Sequence, residues 1–144
     1  MKQSCTIKKQ SDFSEYDLSC LFLLYYPLIG MEAVILYGVL RSLQGNVAVE
    51  QIRIMTDLSD NRLTHARKQL EQYQLLETYY HPQEESWIYE LKAPLSSYEF
   101  LRHDSFSRLF LQKVGSGRFD RIKAMLDQGE MIPSGYQNIS EMIN

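Results

Sequence analysis

Apolar residues recur at helical spacing in two adjacent segments near the start of the chain. In the first segment, the positions i, i+3, i+4 and i+7 are Leu18, Leu21, Phe22 and Tyr25. This spacing predicts an amphipathic helix over residues 15–26, which Pro27 should end because it cannot donate a backbone hydrogen bond. A linker of residues 27–30 then leads to a second helix over residues 31–43, whose predicted core face is Ala33, Leu36, Tyr37 and Leu40.

Both helices also carry apolar residues on the side away from their predicted core faces. A helix that is apolar all round must be covered on all sides, so we expect a second contact surface there. The sequence therefore predicts self-association, as a dimer or tetramer, through Leu23, Leu24, Val34, Ile35 and Val39.

The apolar stretch over residues 20–40 is long enough to raise the question of a membrane span. Pro27 and Gly30 divide it, and Glu32 would be costly inside a bilayer. Two soluble helices are the better interpretation, with no integral membrane segment. Because the start of the chain is polar and offers no signal-peptide core, we expect a cytoplasmic protein.

The middle of the chain has the pattern of a helix-turn-helix followed by a hairpin. A short helix is predicted over residues 49–56 with Ile52 and Met55 facing inward, then a turn at residues 57–59. The long helix over residues 60–73 should bury Leu63, Ala66, Leu70 and Tyr73. Two strands, residues 75–81 and 87–92, flank a five-residue loop. The predicted fold is mainly α with one β-hairpin: a winged helix-turn-helix with extra N- and C-terminal helices.

Further helices are predicted beyond the hairpin. Ser96 and Glu99 form a capping box for a helix to about Arg102, and Asp104 can cap the next. Gly115 is a plausible left-handed stop. The apolar faces of the last two helices are Phe106, Leu109, Phe110 and Val114, then Phe119, Ile122 and Leu126. We expect one winged-helix domain over residues 1–129 and a flexible tail or linker over residues 130–144.

Charge is distributed unevenly along a chain of net charge -3. The hairpin region carries four glutamates against one lysine, which is the wrong sign for a wing that grips phosphates. The outward face of the long helix offers residues for base or phosphate contact: Asn61, Thr64, His65 and Lys68. Basic residues dominate only over residues 100–125. This segment is either a solvated helical face or a surface that contacts nucleic acid or an acidic partner. Its basic residues are Arg102, Arg108, Lys113, Arg118, Arg121 and Lys123.

Residues for catalysis or metal binding do not form a recognisable pattern. His65, His81 and His103 are scattered, and no nucleophile motif or phosphate-binding glycine loop is present. Cys5 and Cys20 are read as reduced thiols. We expect no enzymatic activity, no cofactor and no bound metal.

Three motifs in order resemble a known family. Residues 25–33 read YYPLIGMEA, residues 66–79 begin ARKQLE and end LLETY, and residues 87–95 read WIYELKAPL. Together they are similar to the N-terminal module of the Firmicute primosomal initiation proteins DnaB and DnaD. The DnaB in question is a replication initiation and membrane attachment protein, not the replicative helicase.

The resemblance implies an oligomerisation and protein-interaction module in DNA replication initiation. Its implied partners are other primosome proteins during helicase loading, with weak or indirect DNA contact. The alternative from the residues is a winged-helix DNA-binding transcription regulator.

The chain departs from the family in two respects. Gln74 stands where the family usually has glycine, and a left-handed non-glycine residue costs about 1 kcal/mol. The family's C-terminal helical domain, which contacts DNA, has no counterpart here, so we expect an N-terminal fragment or a shortened relative.

Overall fold

The computed structural model describes residues 3–126 and 134–141. Within them, the strands are β1 (Ser4–Lys9), β2 (Gly45–Ala48), β3 (Leu76–His81) and β4 (Ser86–Leu91). The helical elements are α1 (Glu15–Cys20), a π-helical turn (Leu21–Tyr25), α2 (Tyr26–Ile29), α3 (Met31–Ser42), α4 (Val49–Thr56), α5 (Asp60–Gln72), α6 (Ser97–Arg102) and α7 (Asp104–Leu126). The predicted boundary at residue 129 lies outside the described residues, as do tail residues 130–133 and 142–144.

The strands form one sheet in the order β2-β1-β4-β3. The predicted hairpin is confirmed, with Leu76 opposite Leu91 and His81 opposite Ser86, so its loop has four residues rather than five. The prediction that this hairpin would be the only β-structure is wrong. Strand β1 runs parallel to β4 along its whole length and antiparallel to β2. Strand β1 is as long as β3 and β4 but contains only two apolar residues, Cys5 and Ile7, and β2 has only four residues. The apolar pattern therefore did not reveal them.

The first helical segment continues past Pro27 instead of ending there. The backbone N–H of Tyr26 donates to the carbonyl of Leu21, five residues earlier, and this wider π turn accommodates the proline that follows. The helix ends at Gly30, whose φ of 87° is a backbone conformation that other residues rarely adopt. Two predicted core residues, Leu18 and Phe22, are about half exposed, which corrects the predicted core face. The extra residue of the π turn changes the helix phase between the residues before it and those after it, so no single 3.6-residue face runs through the segment.

The helix-turn-helix pair is present at the predicted residues. Asp57 adopts a left-handed conformation at the end of α4, and the Ser59 side chain caps α5 by accepting from the N–H of Arg62. The predicted inward residue Ile52 is buried, whereas Met55 is 61% exposed, which corrects that part of the prediction. Thr56 is buried in the same helix, where its hydroxyl donates to the carbonyl of Ile52 at 2.8 Å.

The sequence left the geometry at the end of α5 open, because Gln74 stands where the family usually has glycine. Gln74 has a φ of 62°, so it is a left-handed cap without a glycine. Its N–H donates to the carbonyl of Glu71, and the N–H of Leu75 donates to the carbonyl of Leu70. These two bonds form a Schellman motif, which directs the chain from α5 into the hairpin.

An aromatic core joins the N- and C-terminal helices. The ring of Tyr25 packs edge-on against Phe100 at 4.9 Å, and Phe100 packs against Phe110 at 5.6 Å. The Tyr25 hydroxyl also accepts from the N–H of Leu95 at 2.9 Å, which fixes the segment after the hairpin. These contacts place α6 and α7 beside the π-helical turn.

Helix α7 is bent into two arms, residues 104–114 and 116–126. The predicted break at Gly115 is confirmed by its φ of 81°. The predicted cap at Asp104 is wrong, since Asp104 is already the first helical residue and His103 Nδ1 accepts from the N–H of Phe106 at 3.1 Å. Leu109 was predicted to face the core but is 38% exposed.

Candidate interaction surfaces

The five residues predicted to form a self-association surface do not lie on one exposed face. Leu24 and Val34 are 0% and 6% exposed, so both belong to the core of the domain itself. Leu23 and Val39 are partly buried. Ile35 is exposed at 38%. The reason is the packing of the π-helical turn and α3, which uses positions that the sequence pattern assigned to the outside.

A shallow groove lies on the exposed side of α3, next to α4. We call it the α3–α4 groove; its volume is about 440 Å³ and its lining is Ile35, Gly38, Val39, Ser42, Leu43 and Met55. Met55 and its neighbour Ile54 are 61% and 63% exposed. The groove thus contains two of the predicted self-association residues, Ile35 and Val39. It also contains Met55, which the sequence pattern had placed in the core.

A second groove lies on the opposite side of Gly38, between α1 and α3. We call it the α1–α3 groove; its volume is about 400 Å³ and its lining is Phe13, Leu18, Leu21, Phe22, Val34, Tyr37, Gly38, Arg41 and Ser42. Leu18 and Phe22 project from its wall at 45% and 46% exposure. The two grooves share Gly38 and Ser42 and therefore adjoin each other along α3. Their linings are more apolar than those of the other grooves.

The outward face of α5 is where a winged helix would read DNA. Asn61, Thr64, His65 and Lys68 are all exposed, as predicted for this face. Two arginines on the same helix are already engaged by carboxylates. Arg62 lies 3.3 Å from Glu32, and Arg67 lies 2.9 Å from Glu71.

The wing formed by β3 and β4 is held on one side by β1 and carries negative charge. At its base, Lys92 Nζ lies 2.5 Å from a Glu77 carboxylate oxygen, and bonds from Lys92 and Tyr79 lower the pKa of Glu77. At its tip, Glu84 is exposed and Glu85 is partly buried with a φ of 50°. A phosphate backbone that approached this tip would meet carboxylates rather than ammonium or guanidinium groups.

The six basic residues predicted over residues 100–125 are all exposed, but they are spread over more than one surface. Arg102 and Lys123 line one groove with Tyr98 and Phe119, and the Arg102 guanidinium lies 3.7 Å from the centre of the Tyr98 ring. Lys113 lines a different groove, against Pro27, Leu28 and Tyr73. The structure therefore brings Arg102 and Lys123 together and separates Lys113 from them.

The two cysteines lie in the core rather than at a surface. Both are free thiols, and burial raises the pKa of Cys5 to about 12 and also raises the pKa of Cys20. Among residues 3–126 and 134–141, no group of three or more histidine, cysteine or carboxylate side chains could hold a metal ion. No helix in this part of the chain is both long and apolar enough to cross a bilayer.

The family model described as "DnaB N-terminal winged helix domain" matches residues 1–143, almost the whole chain. The chain belongs to this family. The resemblance to DnaB seen in the sequence is thereby confirmed, together with the winged-helix fold. The region matched by the family includes strand β1 and helix α7 as well as the helix-turn-helix and its wing.

A solved structure has the same fold as this DnaB-type domain. It is the crystal structure of residues 1–300 of the primosome protein DnaB from Geobacillus stearothermophilus, with a TM-score of 0.82 and 24% sequence identity. The match covers 96% of this chain and 56% of the solved one, so the domain spans a little over half the length of that relative. No curated protein sequence matches the chain.

Proposed function

We propose that this domain is the self-association and partner-binding module of a DNA replication initiation protein that acts in the primosome. The observation that carries the proposal is the α3–α4 groove, where Ile35 and Met55 expose apolar side chains beside Val39. Grouped apolar side chains on a domain surface commonly mark protein interfaces. Membership of the DnaB family and the similarity to a solved primosome protein support a role in DNA replication.

A second copy of the chain is the occupant we assign to the α3–α4 groove. The groove is nearly uncharged, and an isologous contact about a two-fold axis would bring the same apolar residues together from both copies. Other primosome proteins would then bind the assembled particle. A dimer or a tetramer fits this arrangement.

Direct DNA contact is a minor part of the proposal, and it is weak and non-specific. In a winged-helix transcription regulator, the DNA backbone would have to approach the wing without charge repulsion. This wing instead has Glu84 at its tip and Glu77 at its base. In the replication module, contact with DNA falls to the basic residues of α6 and α7. The recognition face of α5 is not required for it.

The test is sedimentation velocity of the full chain and two matched variants. Ile35→Glu places a carboxylate in the α3–α4 groove and should shift the assembled species to monomer. Ile88→Glu changes an isoleucine of equal exposure, 37% against 38%, on the outer face of the sheet and should leave assembly intact. A wild-type chain that sediments as a monomer at high concentration, or an assembly indifferent to Ile35→Glu, would refute self-association through this groove.

A further inference from the structure

The α1–α3 groove combines apolar walls with one cationic side chain that has no carboxylate partner among the described residues. The walls include the exposed rings and methyl groups of Phe22 and Leu18. Arg41 lies across the groove, with its guanidinium 4.8 Å from the centre of the Phe13 ring and 5.9 Å from that of Tyr37. A cation between aromatic rings favours an anionic neighbour, because little water is available to solvate its charge.

The hydrogen bonds of Arg41 leave part of its donor capacity unused. Its Nη2 donates to the carbonyl of Ser11 at 2.7 Å, whereas its Nη1 is buried and has no hydrogen-bond partner among the described residues. Arg41 takes part in none of the ion pairs of the described residues. An occupant of this groove should therefore bring both an apolar side chain and a negative charge, which attracts the guanidinium without requiring a bond to the buried Nη1.

One segment of the chain carries this pair of groups and has nothing to pack against. In the stretch over residues 134–141, Tyr136 is 76% exposed and Ile139 is 88% exposed, and the backbone has no regular helix or strand. Glu141 follows Ile139 by two positions. In the described structure the N–H of Ser140 donates to Asn138 Oδ1 at 2.9 Å, so this part of the segment is not extended. If the segment docked in an extended conformation, residues two apart would point to the same side, and Ile139 and Glu141 would form an apolar anchor beside a carboxylate.

We propose that the segment over residues 136–141 of a second copy docks in the α1–α3 groove. Ile139 enters between Leu18 and Phe22, and the Glu141 carboxylate reaches the Arg41 guanidinium. The proposal rests on the proposed function in one respect, namely that the docking segment comes from a second copy of the chain. The α1–α3 groove adjoins the α3–α4 groove at Gly38 and Ser42. Phe22 lines only the first groove and Ile35 only the second, so substitutions at these two residues test the two contacts separately.

The probe is a fluorescein-labelled peptide of residues 134–144, titrated with the full chain and followed by fluorescence anisotropy. The full chain carries Ile139→Asp, so that its own tail does not compete with the peptide. Saturable binding is expected. A peptide with Ile139→Asp should bind at least about tenfold more weakly, and a peptide with Glu141→Gln at least about threefold more weakly, since an exposed ion pair contributes modestly.

Groove variants of the full chain identify the surface that the peptide occupies. Phe22→Ser should weaken peptide binding at least about tenfold, because it removes an exposed ring from the groove wall. The matched control Ile88→Ser removes an exposed apolar side chain from the distant sheet face and should leave the affinity unchanged. Circular dichroism of each variant checks that the fold is retained.

The proposal is overturned if the peptide shows no binding up to about millimolar protein, a concentration at which even weak contacts are populated. Equal affinity of the Glu141→Gln peptide, or of the Phe22→Ser chain, would also overturn it. If the wild-type chain sediments as a monomer and does not bind the peptide, its own tail occupies the groove. That result would contradict docking of a segment from a second copy. Loss of assembly on Ile35→Glu with peptide binding retained would separate this contact from the α3–α4 groove.

Discussion

The hydroxyl of Tyr37 donates a 2.6 Å hydrogen bond to the backbone carbonyl of Lys92. Tyr37 lies in the middle of α3 and is 0% exposed, whereas Lys92 directly follows β4. One side chain therefore joins the helix that borders both apolar grooves to the end of the wing. The Lys92 N–H donates to the carbonyl of Leu75, which extends the same connection to the end of α5.

Replacing Tyr37 by phenylalanine should destabilise the domain by about 1 to 2 kcal/mol, because it leaves the Lys92 carbonyl without this donor while the ring still fills the core. The measurement is the free energy of unfolding in urea. Tyr136→Phe is the matched control, since that hydroxyl belongs to a residue that is 76% exposed. A cost for Tyr37→Phe no larger than that for the control would show that the bond contributes nothing.

Two buried tyrosines should make the domain lose stability in alkaline solution between about pH 10 and pH 12, after a first loss from about pH 9 at the buried Cys5 thiol. Burial raises the pKa of Tyr37 and of Tyr89 from 10.0 to about 12. Below the unfolded pKa both states are protonated and the full stability is present. Above it the unfolded chain loses these protons first, so the free energy of unfolding falls as pH rises through the folded pKa.

The check is urea unfolding at pH values on both sides of the unfolded pKa, combined with the ultraviolet absorbance of tyrosinate. The urea midpoint should begin to fall at about pH 9, where the Cys5 thiol of the unfolded chain ionises, and should fall further from about pH 10 as the tyrosines ionise. Tyr37→Phe should make the second fall less steep. A midpoint that stays constant across this range would contradict the assigned burial effect.

Gln74→Gly should stabilise the domain by about 1 kcal/mol. Gln74 has a φ of 62°, a conformation that glycine adopts without steric cost and that costs other residues about this amount. Gln72→Gly is the control two residues earlier, where the backbone is helical and glycine should instead destabilise. Opposite signs for the two substitutions are expected in urea unfolding, and equal signs would refute the argument.

DNA binding by this chain, where it occurs, should be weak and strongly dependent on salt. We expect a log-log salt slope of about -0.9 for each phosphate neutralised. Reversing the charge at Arg118 and Arg121 should weaken binding of a labelled duplex more than Lys68→Ala does. A decisive role for Lys68 or Asn61, with preference for one duplex sequence, would favour the transcription-regulator hypothesis.

Local patterns in the sequence were sufficient for several elements. The presence of the hairpin, the helix-turn-helix pair, the cap at Ser96 and the break at Gly115 all follow from interactions between residues close in sequence, namely side-chain alternation, capping bonds and glycine conformation. The hairpin register differs by one residue from the predicted one, because the loop has four residues rather than five. The motifs in order were also enough to identify the DnaB family.

Tertiary structure decided which apolar residues are covered and which strands form. Strand β1 is defined by pairing with β4, more than 70 residues away, and its own residues carry only a weak pattern. The π-helical turn changed the phase of the first helix, which buried Leu24 and exposed Phe22. A prediction from helical periodicity assumes a constant number of residues per turn, and it contains no information on which elements pack against each side of the helix. The faces that form the two grooves were therefore fixed only when α1, α3 and α4 packed together.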